Sequence, residues 1–423
     1  MIGTRIRYYR KLKGYTLETL SEGICSVSYL SKIENGGHSS DDILIHLCER
    51  LGISFSEVDD SGKIEEIKWL IDDWYRMIVN YEDPRSLEER AKEIEDKLKQ
   101  SSIQQPLIHL RFDVFKLRYE IYRADLKESK RLIQHLNQFK EILDTELQYY
   151  FHHFSGIYYN MMNDYTNAIK YLKMAEEELK KISHSETEEA HLNYQFANLY
   201  CKFQRLSDCM NYAEKALATF NKDYNITRIS DCQTILGITN REIKNYSKAE
   251  YHYGQALKFA KVMNDPVRLG VIYHNLGFVK SDQGASEEAI SCYQRSLEYK
   301  EKVGKNESII LTVYLLAKEY HRLSMKKECL EQIERGLEIS KTIKDKRCYY
   351  LLSILKFDAL DIKDETYEHF ILNEALPYFE KNKTWDFVAM YAEDLGNYYF
   401  KLKFYKKAGE MYQLANEARK KIR

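Results

Sequence analysis

The side chains best equipped for chemistry are few and poorly grouped. His152-His153 is a paired-histidine signal, but adjacent residues of a helix point about 100° apart and cannot readily share a metal. Eight cysteines (Cys25, Cys48, Cys201, Cys209, Cys232, Cys292, Cys329 and Cys348) are scattered without a Cys-x-x-Cys pair. They read as reduced, cytosolic and mostly buried thiols. The sequence holds no Gly-x-Gly-x-x-Gly, Gly-x-x-x-x-Gly-Lys, His-Glu-x-x-His or Gly-x-Ser-x-Gly, the spacings that cradle phosphate, ligate zinc or present a nucleophile. The run Glu176-Glu177-Glu178 followed by Lys180-Lys181 reads as a solvated helix end. No catalytic residue, metal ligand or cofactor is therefore expected, and function must rest on binding.

The elements that would position binding residues show in an internal repeat. Leu236-Gly237, Leu276-Gly277 and Leu395-Gly396 are each followed, twelve residues after the glycine, by Ala249, Ala289 and Ala408. Tyr253, Tyr293 and Tyr412 come four later, and Ala256, Ser296 and Ala415 three beyond those. Gly156, Ala197 and Ala317 start further copies, and Lys356 with Glu368, Leu372 and Ala375 a degenerate one. A period of 39 to 41 residues means stacked supersecondary units. Small residues at the anchor and twelve later let two antiparallel helices approach, and the residue four beyond is expected to fill the gap against the next pair. The pattern resembles the tetratricopeptide repeat, lengthened by about six residues over its usual 34. Residues 63–101 and 105–143 read as two more hairpins, giving nine over 63–423. Cys209 and Cys329 stand where other copies have Ala, and Trp69 and Trp74 are expected to pack the first hairpin or its junction with the N-terminus.

Composition agrees. Seventeen glycines and four prolines in 423 residues make about 5% of the chain, against roughly 12% in average usage, which argues against β-rich folds and Gly-rich loops. The 35 tyrosines read as repeat packing. Lys and Arg total 64 against 65 Asp and Glu, excluding a uniformly basic nucleic-acid coat but not a local patch. There is no apolar run of about 18 residues that could span a membrane, and no secretory h-region follows Met1.

The first sixty residues lack the repeat and read as five short helices. Ile2 to Lys13 is expected to turn Ile6 and Leu12 inward and its basic residues outward. Thr16 is a natural N-cap for 17–22, Ser26 or Ser28 caps the next helix, Val27–Glu34, and Asp41-Asp42 open a fourth before a short fifth. Residues 1–38 hold six basic side chains (Arg5, Arg7, Arg10, Lys11, Lys13 and Lys32) against three acidic. The order Ile2-Gly3-x-x-Ile6-Arg7-x-x-Arg10-x-x-x-Gly14-x-Thr16-x-x-x-Leu20-Ser21, then Ser28-Tyr29-Leu30-Ser31-Lys32-Ile33-Glu34-Asn35-Gly36, resembles the Xre-type (phage-repressor) helix-turn-helix domain. By that resemblance Val27, Ser28 and Lys32 face base edges, and Tyr29, Ser31, Asn35 and Arg10 are phosphate contacts or scaffold. Leu17 departs from the pattern, because members often carry Gln there.

A repressor-like domain (1–60) followed by a tetratricopeptide array (61–423) is similar to the RRNPP group of quorum-sensing regulators, most of all its NprR branch. The resemblance implies an all-α fold: a five-helix helix-turn-helix domain and a right-handed superhelix of about nine hairpins. It also implies a cytoplasmic homodimer or tetramer that binds double-stranded promoter DNA and a short imported signalling peptide, with no membrane partner. Peptide binding would change the oligomeric state. Rap-type relatives instead bind a sporulation response regulator, for which residues 61–145 would be the partner surface. The face three before, one after and four or five after each anchor is expected to line the peptide groove. It holds His153, Asn160, Asn198, Lys202, Arg241, His274, Tyr314, Lys318, His321, Arg322, Glu393, Asn397 and Lys401, with Asn275 at the edge. Asn can donate to and accept from an extended peptide, and Lys or Arg can take its carboxylate.

Overall fold

A computed structural model describes residues 2–55, 61–80, 83–100 and 103–422. Among them no strand occurs. Four helices come first: α1 (Ile2–Leu12), α2 (Leu17–Ser21), α3 (Val27–Glu34) and α4 (Asp41–Leu51). The expected fifth helix falls on 56–60, outside the described residues. Thr16 Oγ1 caps α2 by accepting from the Thr19 amide at 3.1 Å, and Ser26, not Ser28, caps α3 by accepting from the Tyr29 amide at 3.2 Å. The expected inward turn of Leu12 is wrong. Leu12 is half exposed, while Tyr8, one turn earlier, is buried.

Nine helical pairs follow among the described residues. They are α5 and α6 (Ser61–Val79, Pro84–Gln100), α7 and α8 (Pro106–Tyr122, Leu126–Gln138), α9 and α10 (Thr145–Met161, Tyr165–Leu179), α11 and α12 (Glu186–Lys202, Leu206–Lys222), and α13 and α14 (Ile226–Glu242, Tyr246–Val262). Then come α15 and α16 (Pro266–Asp282, Ser286–Val303), α17 and α18 (Asn306–Arg322, Lys326–Ser340), α19 (Arg347–Leu360) with α20 (Glu365–Phe370) and α21 (Leu376–Lys381), and α22 and α23 (Trp385–Lys401, Tyr405–Lys421). The chain forms two compact units that meet in sequence at Arg228 and Ile229, within α13. The first contains the four N-terminal helices together with the first array hairpins.

The anchors work differently from the expected gap-filling between pairs. A Cβ added at Gly237 would stand 2.6 Å from the Tyr253 ring, one at Gly396 would stand 2.8 Å from Tyr412, and one at Gly277 would overlap Tyr293. Each ring lies over the glycine of its own hairpin, sixteen residues earlier. The glycine is there because the ring occupies its Cβ site. Leu172 does the same over Gly156. Cys209 and Cys329, at the twelve-later position, are fully buried.

Turns also keep register. Asn163, Gln204, Lys244, Ser324 and Lys403, seven after their anchors, all have positive φ, as does Gly284. A left-handed residue ends each of these first helices, and here the work falls mostly to non-glycine side chains, at a cost of about 1 kcal/mol apiece. The eighth pair departs, because Lys356 replaces the small anchor and its second helix is interrupted by a π-helical turn, Ile371–Ala375. Pro377 explains the interruption. It has no N–H for the Asn373 carbonyl, and its ring would clash there in a regular α-helix.

Trp74 is wholly buried between α5 and α6, its Nε1 donating to the Leu87 carbonyl at 3.0 Å. Trp69 does not pack as expected, being 57% exposed.

Candidate functional site

The helix-turn-helix presents α3 on a small apolar core. Leu30 and Ile33 are buried against Ile6 and Leu20, while Val27, Ser28 and Lys32 are exposed. Tyr29 and Ser31 are half-buried, and the Ser31 carbonyl accepts from Asn35 Nδ2 at 2.8 Å. The Arg10 guanidinium is engaged within the domain. Its Nε and Nη2 donate to the two oxygens of buried Glu34 at 2.6 and 2.8 Å, and Nη1 donates to the Tyr15 carbonyl at 3.0 Å. The expected outward row of basic residues is also reduced. Arg5 donates to the carbonyls of Ser54 and Phe55, Arg7 to Asn35 and Glu141, and Lys11 to the Gln138 carbonyl. Lys13 and Lys32 remain exposed.

In the first compact unit, His153 and Asn160 do not line an open wall; they are buried, with relative exposures of 2% and 5%. Neither ring nitrogen of His153 has a hydrogen-bond partner, and the same holds for Asn160 Oδ1. Burial, then Arg118 and Arg228, push the His153 imidazole down to about 3. His191 is lowered by burial, then by Arg228, His153 and Arg118. Arg118, His191 and Arg228, all buried, were not among the residues expected from repeat offsets. Nearby, Tyr149 and Tyr75 hydroxyls donate to Glu188 Oε2 at 3.2 and 3.4 Å, and desolvation pushes that carboxyl up to about 7. These tyrosines and Glu188 share a cavity of about 450 Å³ with Trp69, Arg111 and Glu146. Asn198 is half-buried and Lys202 exposed, the Lys202 ammonium 5.4 Å from the Tyr165 ring centre.

In the second unit the expected residues on α13, α15 and α17 form connected groups. The Arg241 guanidinium sits 4.7 Å over the Phe278 ring and 3.6 Å from Asp282. His274 Nδ1 is 2.9 Å from Thr312 Oγ1, which also accepts from Lys300 Nζ at 2.8 Å. Burial, with Lys300 and Arg241 beside it, pushes His274 down to about 3, and burial alone pushes Lys300 down to about 8. Ser281 Oγ donates to Glu319 Oε1 at 2.6 Å, and Arg322 Nη1 to Glu319 Oε2 at 3.0 Å. Asn275 and Tyr314 are half-buried; Lys318, His321 and Lys401 are exposed. Burial also pushes Tyr314 up to about 12. Glu393 and Asn397 bond back to the second helix of their own hairpin, through Arg419 and the Tyr412 hydroxyl. His152, next to His153, turns the other way and holds Glu178 at 2.7 Å. No helix among the described residues is long and apolar enough to cross a membrane.

Comparison with known proteins places this geometry. Residues 6–58 match the helix-turn-helix family model. The chain is 33% identical over 409 residues to the transcriptional activator NprA of Geobacillus stearothermophilus, covering 94% of this chain and 98% of that one. The fold matches the crystal structure of a Rap protein complexed with Competence and Sporulation Factor, with a TM-score of 0.71 at 22% identity over 84% of this chain and 98% of that one. It also matches NprR in complex with its cognate peptide NprX, with a TM-score of 0.63 at 20% identity over 86% and 99%. The fold class is accordingly all-α, a helix-turn-helix domain followed by a tetratricopeptide-type superhelix.

Proposed function

Because the chain belongs to the RRNPP family of helix-turn-helix and tetratricopeptide regulators, we propose that it is a cytoplasmic, peptide-responsive transcription regulator. The 1–60 domain reads double-stranded promoter DNA as part of a homodimer or tetramer, and the 61–423 array binds a short signalling peptide that shifts the oligomeric state. It acts by binding and not by catalysis. Val27, Ser28 and Lys32 supply base contacts, with Tyr29, Ser31 and Asn35 at the backbone. Such contacts give salt-sensitive affinity despite the neutral total charge.

The observation that carries the peptide reading is a pair of buried polar atoms left open on two first helices, α9 and α13. Asn160 Oδ1 and Asn240 Oδ1, one in each unit, have no partner. An unmet buried acceptor costs about 1–3 kcal/mol, which a shift of its helix that admits a peptide N–H would offset. The candidate contacts are Asn198 and Lys202, with His153, in the first unit, and Arg241, His274, Asn275, Tyr314, Lys318, His321 and Arg322 in the second. A ligand shifts the equilibrium only through its different affinity for the two arrangements.

Calorimetric titration with synthetic forms of a short pro-peptide encoded beside the gene tests this reading. Asn198→Ala, Asn275→Ala and Arg241→Ala should each weaken binding, and unchanged affinity in all three would reject the site. Lys32→Ala and Val27→Ala should abolish specific promoter binding while leaving peptide affinity intact. A second reading, a Rap-like contact with a response-regulator protein, is favoured by exposed Trp69 on the first hairpin. Trp69→Ala would then lose the partner but keep the promoter.

A further inference from the structure

Helix α1 is shared between two cores. Toward the recognition helix, Gly3 packs so tightly on the Ile33 carbonyl that no Cβ would fit. Ile6 is wholly buried beside Leu20 and Leu30, and Arg10 grips Glu34 through two hydrogen bonds. Toward the array, Tyr8 is only 4% exposed and belongs to the apolar cluster built by α5 to α9. Its ring lies 5.1 Å from that of Phe139, in the turn after α8. It also stacks at 17° on the His109 imidazole of α7, 6.3 Å away. His109 is itself fixed, its Nε2 lying 2.8 Å from the Ile103 carbonyl.

Polar contacts ring the plug. Arg7 Nη1 meets Glu141 at 3.1 Å, Lys11 Nζ donates to the Gln138 carbonyl at 2.6 Å, and the Ser54 amide donates to Gln104 Oε1 at 2.8 Å. With Glu141 largely exposed, the Arg7 pair contributes little, and the buried aromatic contact dominates. Both faces of an eleven-residue helix are thus occupied. A displacement of α7 or of the 139–143 turn must either carry α1 along, and α3 with it, or bring the Tyr8 ring into water.

We propose that the surface made by His109 of α7 and Phe139 of the following turn is the docking site of the DNA-binding domain. On this reading α1 is the element through which rearrangement of the first array hairpins reaches the recognition helix. The domain is held in one orientation instead of hanging from a tether, independently of what the array binds.

Hydrogen exchange on the full chain without ligand tests the coupling. Phe139→Ala lies wholly in the array, yet it should raise exchange in 2–12 and 27–34 at least five-fold while α9 to α12 stay within two-fold of the unmodified chain. Tyr8→Ala should reproduce that rise and extend it to 138–143; Tyr8→Phe, which keeps the ring, should not. Unchanged exchange in 2–12 and 27–34 after Phe139→Ala, or an equal rise throughout the chain, overturns the proposal. Should Phe139→Ala fail to fold, His109→Ala makes the same comparison with the same two outcomes.

Discussion

Two buried polar neighbourhoods, one in each compact unit, treat similar groups differently. In the second, His274, Thr312 and Lys300 form one connected group and Ser281, Glu319 and Arg322 another, each side chain with a named partner. In the first, His153 is equally buried with both nitrogens unmet, and Glu188 carries a carboxyl pushed up to about 7. Both units hold an imidazole lowered to about 3, so burial alone does not separate them. Partnering does. A satisfied network resists change, whereas an unsatisfied one holds free energy that a ligand, a proton or a shift of helices can release. The contrast assigns rigidity to the His274 and Glu319 groups and responsiveness to the surroundings of His153.

Four measurements can break or sharpen that contrast. The largest effect belongs to Glu319→Ala, which leaves Ser281 and Arg322 without their buried acceptor and should cost about 3 kcal/mol in urea unfolding. A loss below about 1 kcal/mol would mean the second network is not a structural fixture. Next is Glu188. Its carboxyl binds a proton more tightly folded than unfolded, so its contribution is complete below about pH 4.5 and is lost as the pH rises through about 7. The loss should be about 2–3 kcal/mol in the first unit. Glu188→Gln should flatten that slope between pH 5 and 8, and a slope surviving the substitution would move the titration elsewhere. Third, His153→Leu removes two unmet nitrogens and should leave stability unchanged or raise it by about 1 kcal/mol. If it destabilises as much as Glu319→Ala, the distinction between the units collapses. Smallest are Gln204→Gly in the first unit and Lys244→Gly in the second, each relieving a left-handed non-glycine turn for a net gain of about 0.5 kcal/mol. Equal gains in thermal melts would place the difference between units in their cores and not in their turns.

Much of this is legible in the sequence. The 40-residue spacing marked the hairpins, and the ordered residues from Ile2 to Gly36 marked the helix-turn-helix, because short-range packing constraints write themselves at fixed intervals. The exposed start of α3 followed from the same pattern. Other features were hidden for physical reasons. Arg118, His153, His191 and Arg228 stand 35 to 38 residues apart, short of the repeat length. Residues that share one electrostatic neighbourhood thus come from drifting positions on successive first helices, and a constant offset marks only His153. Glu393 and Asn397 satisfy the offset rule but have Arg419 and Tyr412 within reach in their own hairpin, a preference no spacing could reveal. Tyr8 took the inward place expected of Leu12 because its neighbour is a second core, of which the first sixty residues carry no trace.

The eighth pair has a mechanical meaning. In four hairpins a ring or a leucine seated over a glycine bolts two helices together, and Ala197 and Ala317 keep the same place small, but α19 has a lysine there, and its partner helix contains a π turn where Pro377 withholds a hydrogen bond. Under a pulling force applied at the C-terminus, the array should therefore not yield hairpin by hairpin at even tension. It should part first where the bolt is missing, releasing α20 to α23 as one segment, so that the weakest joint in the array is set by two residues, Lys356 and Pro377.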